Sequence, residues 1–268
     1  MKSIFKSIGY IVAFVLVQLM VQSVFSVFAV TNGVKSKSEV MEYAKNNLLL
    51  ISIIANFVTL GAFGLFRKLR KHSPTKLFSF HNIRPRDCFI SAIVALSYSL
   101  CFGFVTYNIQ FENAKLISQS STYYSQIAPH LGLVMMVVAL LLSAPIIEEY
   151  ICRGIIFAEL SQHFSPNITV ILSAVIFGVM HLIAGGIILA IGATLMGLIL
   201  GFIYLRTKSL TIAVIAHMFA NLSDFIIELV PNMNTPTIIV AVFIFAVIMV
   251  GSLFYLYKGE KCTMKEQA

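Results

Sequence analysis

Between Pro129 and Leu160 the sequence reads PHLGLVMMVVALLLSAPIIEEYICRGIIFAEL, an apolar run that nevertheless carries Glu148, Glu149 and Arg153 in its second half. A membrane span needs about 20 predominantly apolar residues. Each charge placed inside one costs about 2.5–3.5 kcal/mol on insertion scales. The stretch therefore predicts a transmembrane helix that keeps a charged cluster for a reason.

The rest of the chain agrees with a membrane setting. Of its 268 residues, 59% are hydrophobic and 11% charged, and mean hydropathy is +0.91, whereas soluble domains run about 45–50% apolar and about 25% charged. A soluble globular enzyme, a disordered chain and a fibrous repeat are excluded. Apolar runs near 7–30, 47–66, 88–107, 129–160, 167–184, 187–205, 210–230 and 237–257 predict an all-α, polytopic integral membrane helical bundle of about eight transmembrane helices. One membrane domain is expected over 1–268, with spans one to three in 1–128, a core of spans four to seven in 129–230, and the last span and tail in 231–268. The first run is longer than the 7–15 residues or so of a signal-peptide core and no A-x-A precedes a cut, so it reads as an uncleaved span.

The net charge of +8 reports orientation in such a protein rather than a nucleic-acid partner. The segment from Arg67 to Arg86 holds Arg67, Lys68, Arg70, Lys71, Lys76, Arg84 and Arg86 with no acid before Arg86, which makes it cytoplasmic. Counting outward from it puts both termini in the cytoplasm of a cell-membrane protein. Cys88, Cys101, Cys152 and Cys262 form no CxxC pair, so neither a disulfide framework nor a thiolate zinc site is indicated. Ala193, Gly197 and Gly201 recur every fourth residue, a small-xxx-small surface for close helix approach. Gly185-Gly186 predicts a tight turn, making spans five and six a hairpin.

Three groups of polar residues resist any loop assignment: Glu148, Glu149 and Arg153 in span four, His181 in span five, and His217 with Asn221 in span seven. Glu149 and Arg153, four apart, share a helical face with the acid N-terminal to the base, while Glu148 points about 100° away. Desolvation disfavours the charge on a carboxylate so placed and makes it a better acceptor for a water proton. The competing reading is a structural triad that only ties helices together, and spacing alone does not separate the two. Pro145 cannot donate to Leu141, so the helix is expected to kink or open just before Glu148. His217, Asn221, Asp224 and Glu228 fall on one stripe of span seven; Asp224 and Glu228 are expected merely to line its outer mouth. Phe177, one turn before His181, reads as a packing neighbour. With a rise of about 1.5 Å per residue, Glu148, His181, His217 and Asn221 lie about 20, 22, 13 and 20 Å from the cytoplasmic ends of their spans, one layer of the membrane.

A carboxylate, two histidines and an asparagine could hydrolyse an acyl bond. Glu148 would take a proton from water, His181 would orient that water or accept its proton, and His217 with Asn221 would donate to the oxyanion. Glu148, His181 and His217 could equally be ligands of a catalytic zinc. A proton-relay transporter is a third use of such groups, against which the absence of repeat symmetry speaks.

Glu148-Glu149-xxx-Arg153, Phe177-xxx-His181 and His217-xxx-Asn221 together resemble the EExxxR, FxxxH and HxxxN motifs of the CAAX protease and bacteriocin-processing (CPBP, also called Abi) family of intramembrane peptidases. The motifs stand in family order, each on its own span, within about residues 130–225. The resemblance implies a cavity reached from the cytoplasm, water activation by Glu148 and His181, and an oxyanion site at His217 and Asn221. It leaves open a metal-free glutamate mechanism, which needs no cofactor, or Zn2+. The implied partners are the lipid bilayer and a peptide or membrane-protein substrate: lipidated, membrane-associated or a small precursor. Bacteriocin self-immunity or regulation without catalysis is the alternative. Oligomeric state is not indicated.

Overall fold

The computed structural model describes residues 2–69, 83–107, 109, 112–230 and 233–265, and the regular structure among them is helical. Arg70, Lys71 and Lys76 of the basic loop lie outside the described residues, as does the side chain of Cys262. The chain divides into two compact units, Met1–Thr75 with Gln110–Glu148, and Lys76–Ile109 with Glu149–Ala268.

The first unit holds α1 (Lys2–Thr31), α2 (Lys37–Asn46), α3 (Leu48–Leu69), α5 (Glu112–Ile127) and the first part of α6 (Leu131–Leu160). Two segments expected as polar loops, 31–46 and 108–128, contain the helices α2 and α5. Hydropathy treats them as breaks because they are polar. What builds α2 is local: Ser36 Oγ accepts from the Glu39 amide while Glu39 accepts from the Ser36 amide, a reciprocal cap. The same bonds, with one from the Lys35 amide, hold the exposed Glu39 carboxyl below the usual range. α5 straps the α2–α3 junction. Ser120 Oγ donates to Asn46 O (2.8 Å) and accepts from the Leu49 amide (3.2 Å), and Tyr124 donates to Asn47 Oδ1 (3.0 Å). Burial, then Tyr123 and Tyr43, push the Tyr124 phenol up to about 12, so it stays a donor.

Polar side chains also join the apolar helices of this unit. Gln18 Nε2 donates to Asn56 Oδ1 (3.2 Å), Asn56 Nδ2 to Ser143 Oγ (3.1 Å), and Ser143 Oγ to Ala139 O (3.1 Å). Ser143 belongs to a widened, π-helical turn of α6, Val137–Ser143, that ends beside Pro145. The opening expected at Pro145 takes this form: the Ala144 amide bonds Ala139 O, five residues back, which accommodates a ring that would otherwise press on the Leu141 carbonyl.

The second unit holds α4 (Pro85–Val105), the rest of α6, α7 (Pro166–Leu182), α8 (Gly185–Thr207), α9 (Leu210–Glu228) and α10 (Thr235–Lys265). α4 packs against α9 and α10, with Val94, Ala95, Leu200, Ile203, Ile212 and Ala216 in one core. Seven helices among the described residues are long and apolar enough to cross a membrane; α7, expected as the fifth of eight spans, is a shorter apolar helix. The protein is thus a polytopic helical membrane bundle, with seven long apolar helices and one shorter one among the described residues.

α7 and α8 form the expected hairpin. The break falls at Gly185 and at Gly186, whose φ of +67° suits glycine. Small residues then let the two backbones meet. A Cβ on Gly197 would stand 2.9 Å from Ala174 Cα, one on Gly201 3.2 Å from Val170 Cγ1, and one on Gly178 2.6 Å from Ala190 O.

Gly197→Ala is therefore expected to cost about 1–3 kcal/mol through overpacking against α7 backbone, whereas Gly64→Ala, with nothing within 4 Å of the added carbon, leaves stability unchanged or raised. Unfolding in detergent measures both.

Candidate functional site

The charged cluster of α6 begins where the helix changes pitch. Ala144–Glu149 is α-helical, and Tyr150–Ile156 is a second π-helical turn in which the Phe157 amide bonds Cys152 O. Glu148, the last residue of the first unit, is half-buried. Glu149 and Arg153 are fully buried. The i,i+4 pair expected from spacing is present: Arg153 Nη1 donates to Glu149 Oε1 at 2.8 Å.

Three other helices complete this centre. From α8, the Gly197 carbonyl accepts from Arg153 Nη2 (2.8 Å). On α9, buried His217 places Nδ1 2.9 Å from Glu149 Oε1. From α7, the Phe177 ring lies 5.1 Å below the Arg153 guanidinium, and its centroid is 4.6 Å from the His181 ring and 5.7 Å, edge-on, from the His217 ring. Phe177 is thus more than a packing neighbour: it separates the two histidines and faces the arginine. Cys152, Phe177 and Ala193 form the apolar wall, with Met180 against it.

The partners fix the histidine tautomers. His181 Nδ1 lies 2.9 Å from the Phe177 carbonyl, which only accepts, so Nδ1 carries a proton and a neutral His181 keeps its lone pair on Nε2. Facing an ionised Glu149, His217 Nδ1 is also the donor. Its Nε2 is then an acceptor in the neutral ring and a donor only in the cation.

The structure brings Glu149, Arg153, His181 and His217 together around Phe177. Asn221 is half-buried one turn beyond His217, while Asp224 and Glu228 are exposed further along α9. The Gly197 carbonyl and the Phe177 ring face were missed; the every-fourth-residue glycine pattern was the available signal for the first, and no local pattern marks the second. Among the described residues no three His, Cys, Asp or Glu side chains lie together as metal ligands.

Residues 130–223, 35% of the chain by length, match the family described as type II CAAX prenyl endopeptidase, Rce1-like. The interval spans all three motifs. The chain is also similar to a protein of Bacillus subtilis (strain 168), provisionally named membrane peptidase YdiL, with 33% identity over 100 residues. That stretch is 37% of this chain and 40% of the relative's length. No solved structure matches.

Arg153→Met leaves a buried carboxylate opposite His217 alone and is expected to lower stability by about 3–5 kcal/mol. Glu149→Gln combined with Arg153→Met removes both charges and recovers part of that loss. Denaturant unfolding of the two proteins in detergent measures the difference.

Proposed function

We propose that the chain, which matches the Rce1-like CAAX prenyl endopeptidase family over residues 130–223, is an intramembrane peptidase. It hydrolyses a peptide bond in a membrane-associated, lipidated or small precursor peptide by direct attack of water. The observation that carries the reading is the pair of histidines held by Nδ1, His181 on the Phe177 carbonyl and His217 on Glu149. Both are directed to work through Nε2.

In this mechanism Glu148 takes the proton from the attacking water and His181 Nε2 accepts a hydrogen bond from it, which orients its lone pair at the scissile carbonyl. As the tetrahedral intermediate forms, its oxyanion is met by the Asn221 side-chain amide and by His217 Nε2–H. For His217 to donate there it must be the imidazolium, and Glu149 at 2.9 Å from Nδ1 is the counter-charge that permits this. Arg153 acts on Glu149 rather than on substrate: it fixes the carboxylate, which fixes His217. The proton taken by Glu148 passes to the leaving amine, and the carboxylate is restored. We assign the protein to the cell membrane with both termini in the cytoplasm and the cavity open to that side.

Purified protein with candidate lipidated and precursor peptides tests this. Glu148→Gln and His181→Ala are each expected to lower kcat by about 10²–10⁴-fold, and Asn221→Ala by about 10²–10³-fold, with unfolding midpoints close to wild type. A strong chelator is expected to leave the rate unchanged. Cleavage undiminished in Glu148→Gln would overturn the mechanism, and protection against a bacteriocin that survives this substitution would favour a non-catalytic immunity role.

A further inference from the structure

Away from the charged centre, the end of α10 gathers cations onto aromatic rings. The segment Phe254-Tyr255-Leu256-Tyr257-Lys258 closes the apolar stretch Thr235–Lys258. Leu256 is buried in the core, while the rings of Phe254, Tyr255 and Tyr257 are exposed. Each ring has a cation over it, and the cations come from three helix ends. Arg86, in the first turn of α4, lies 4.1 Å from the Tyr255 centroid; Arg206, in the last turn of α8, lies 4.9 Å from that of Tyr257; and Lys258 lies 4.6 Å from that of Phe254.

A ring holds a cation without neutralising it. A guanidinium stacked by its face keeps its in-plane N–H donors, the geometry that takes a phosphate in a bidentate grip. Among the described residues neither Arg86 nor Lys258 pairs with a carboxylate. Arg84 and Lys208, exposed at the same helix ends, add positive charge, against the half-buried Asp87 on α4. Tyrosines and cations at the end of a span lie at headgroup depth, where the most abundant molecule is a phospholipid. Clustered basic residues at a span end select the anionic kind, each contributing about fivefold in affinity.

We propose that Arg86 and Lys258, presented on Tyr255 and Phe254, bind the phosphate headgroup of an anionic phospholipid. The exposed ring edges lie along the start of its acyl chains. This site is independent of the peptidase reading.

The full chain, reconstituted in phosphatidylcholine vesicles with a small fraction of spin-labelled phosphatidylglycerol or spin-labelled phosphatidylcholine, provides the test. Electron paramagnetic resonance reads the fraction of each label held at the protein. The wild type is expected to hold the anionic label preferentially, and Arg86→Gln/Lys258→Gln to lose at least about fivefold of that preference. Exposed Arg86→Gln alone, the milder variant, shifts it in the same direction, and Lys35→Gln/Lys37→Gln in the first unit leaves it unchanged. Raised salt weakens the preference in unmodified protein. No preference in wild type, or full preference in the double variant, would overturn the proposal. Displacement of the label by millimolar inorganic phosphate would also overturn it, in favour of a free-phosphate site.

Discussion

A carboxylate and a guanidinium, both without solvent exposure, stand 2.8 Å apart in the middle of α6, and the second unit is arranged around the need to keep them satisfied. Their attraction alone does not repay the desolvation of two ions in a low-dielectric setting; the remaining donors and lone pairs must find partners. Those partners are the Gly197 carbonyl, the His217 ring and the Phe177 face, drawn from α8, α9 and α7. Ion pair and helix packing are consequently one constraint. The Gly197 carbonyl reaches Arg153 in a hairpin whose small residues let α7 and α8 touch along their backbones.

The network is not completed by its own members. Glu149 Oε2 and Arg153 Nε are buried and make no hydrogen bond among the described residues. A polar group in that condition costs about 1–3 kcal/mol. Chains selected for stability alone would replace such a cluster with apolar residues of similar volume, so its retention suits a centre kept for chemistry. Two widened turns of α6 flank the Ala144–Glu149 segment that carries both glutamates. π-helical turns interrupt regular helices mostly at functional sites. Here the first has an evident cause, Pro145, and a support, the Gln18–Asn56–Ser143 chain of hydrogen bonds.

Local periodicity made part of this legible in the sequence. Glu149 and Arg153 were paired from 3.6 residues per turn, the Gly185-Gly186 hairpin from backbone freedom, and the α7–α8 contact from small residues at every fourth position. Polar helices α2 and α5 were not legible from hydropathy, because their order comes from a capping box and from side-chain bonds between segments distant in sequence. Tertiary partners were hidden for the same reason. Nothing near His217 announces Glu149, 68 residues away, and Phe177 looks like any other apolar residue until three charged or ring neighbours surround it. Polar residues that cannot lie in loops mark the candidate site in the sequence, but its wiring is visible only in the fold.

That wiring makes one claim on which the proposed chemistry rests: both histidines commit Nδ1–H to an oxygen and work through Nε2. Nitrogen-15 NMR of histidine-labelled protein in micelles, assigned with His181→Gln and His217→Gln, reads the tautomers directly. The account predicts a protonated Nδ1 on both rings, with the His217 Nδ1–H signal shifted when Glu149 is replaced by Leu. A neutral Nε2–H tautomer at either histidine, or a His217 signal indifferent to Glu149→Leu, would contradict it.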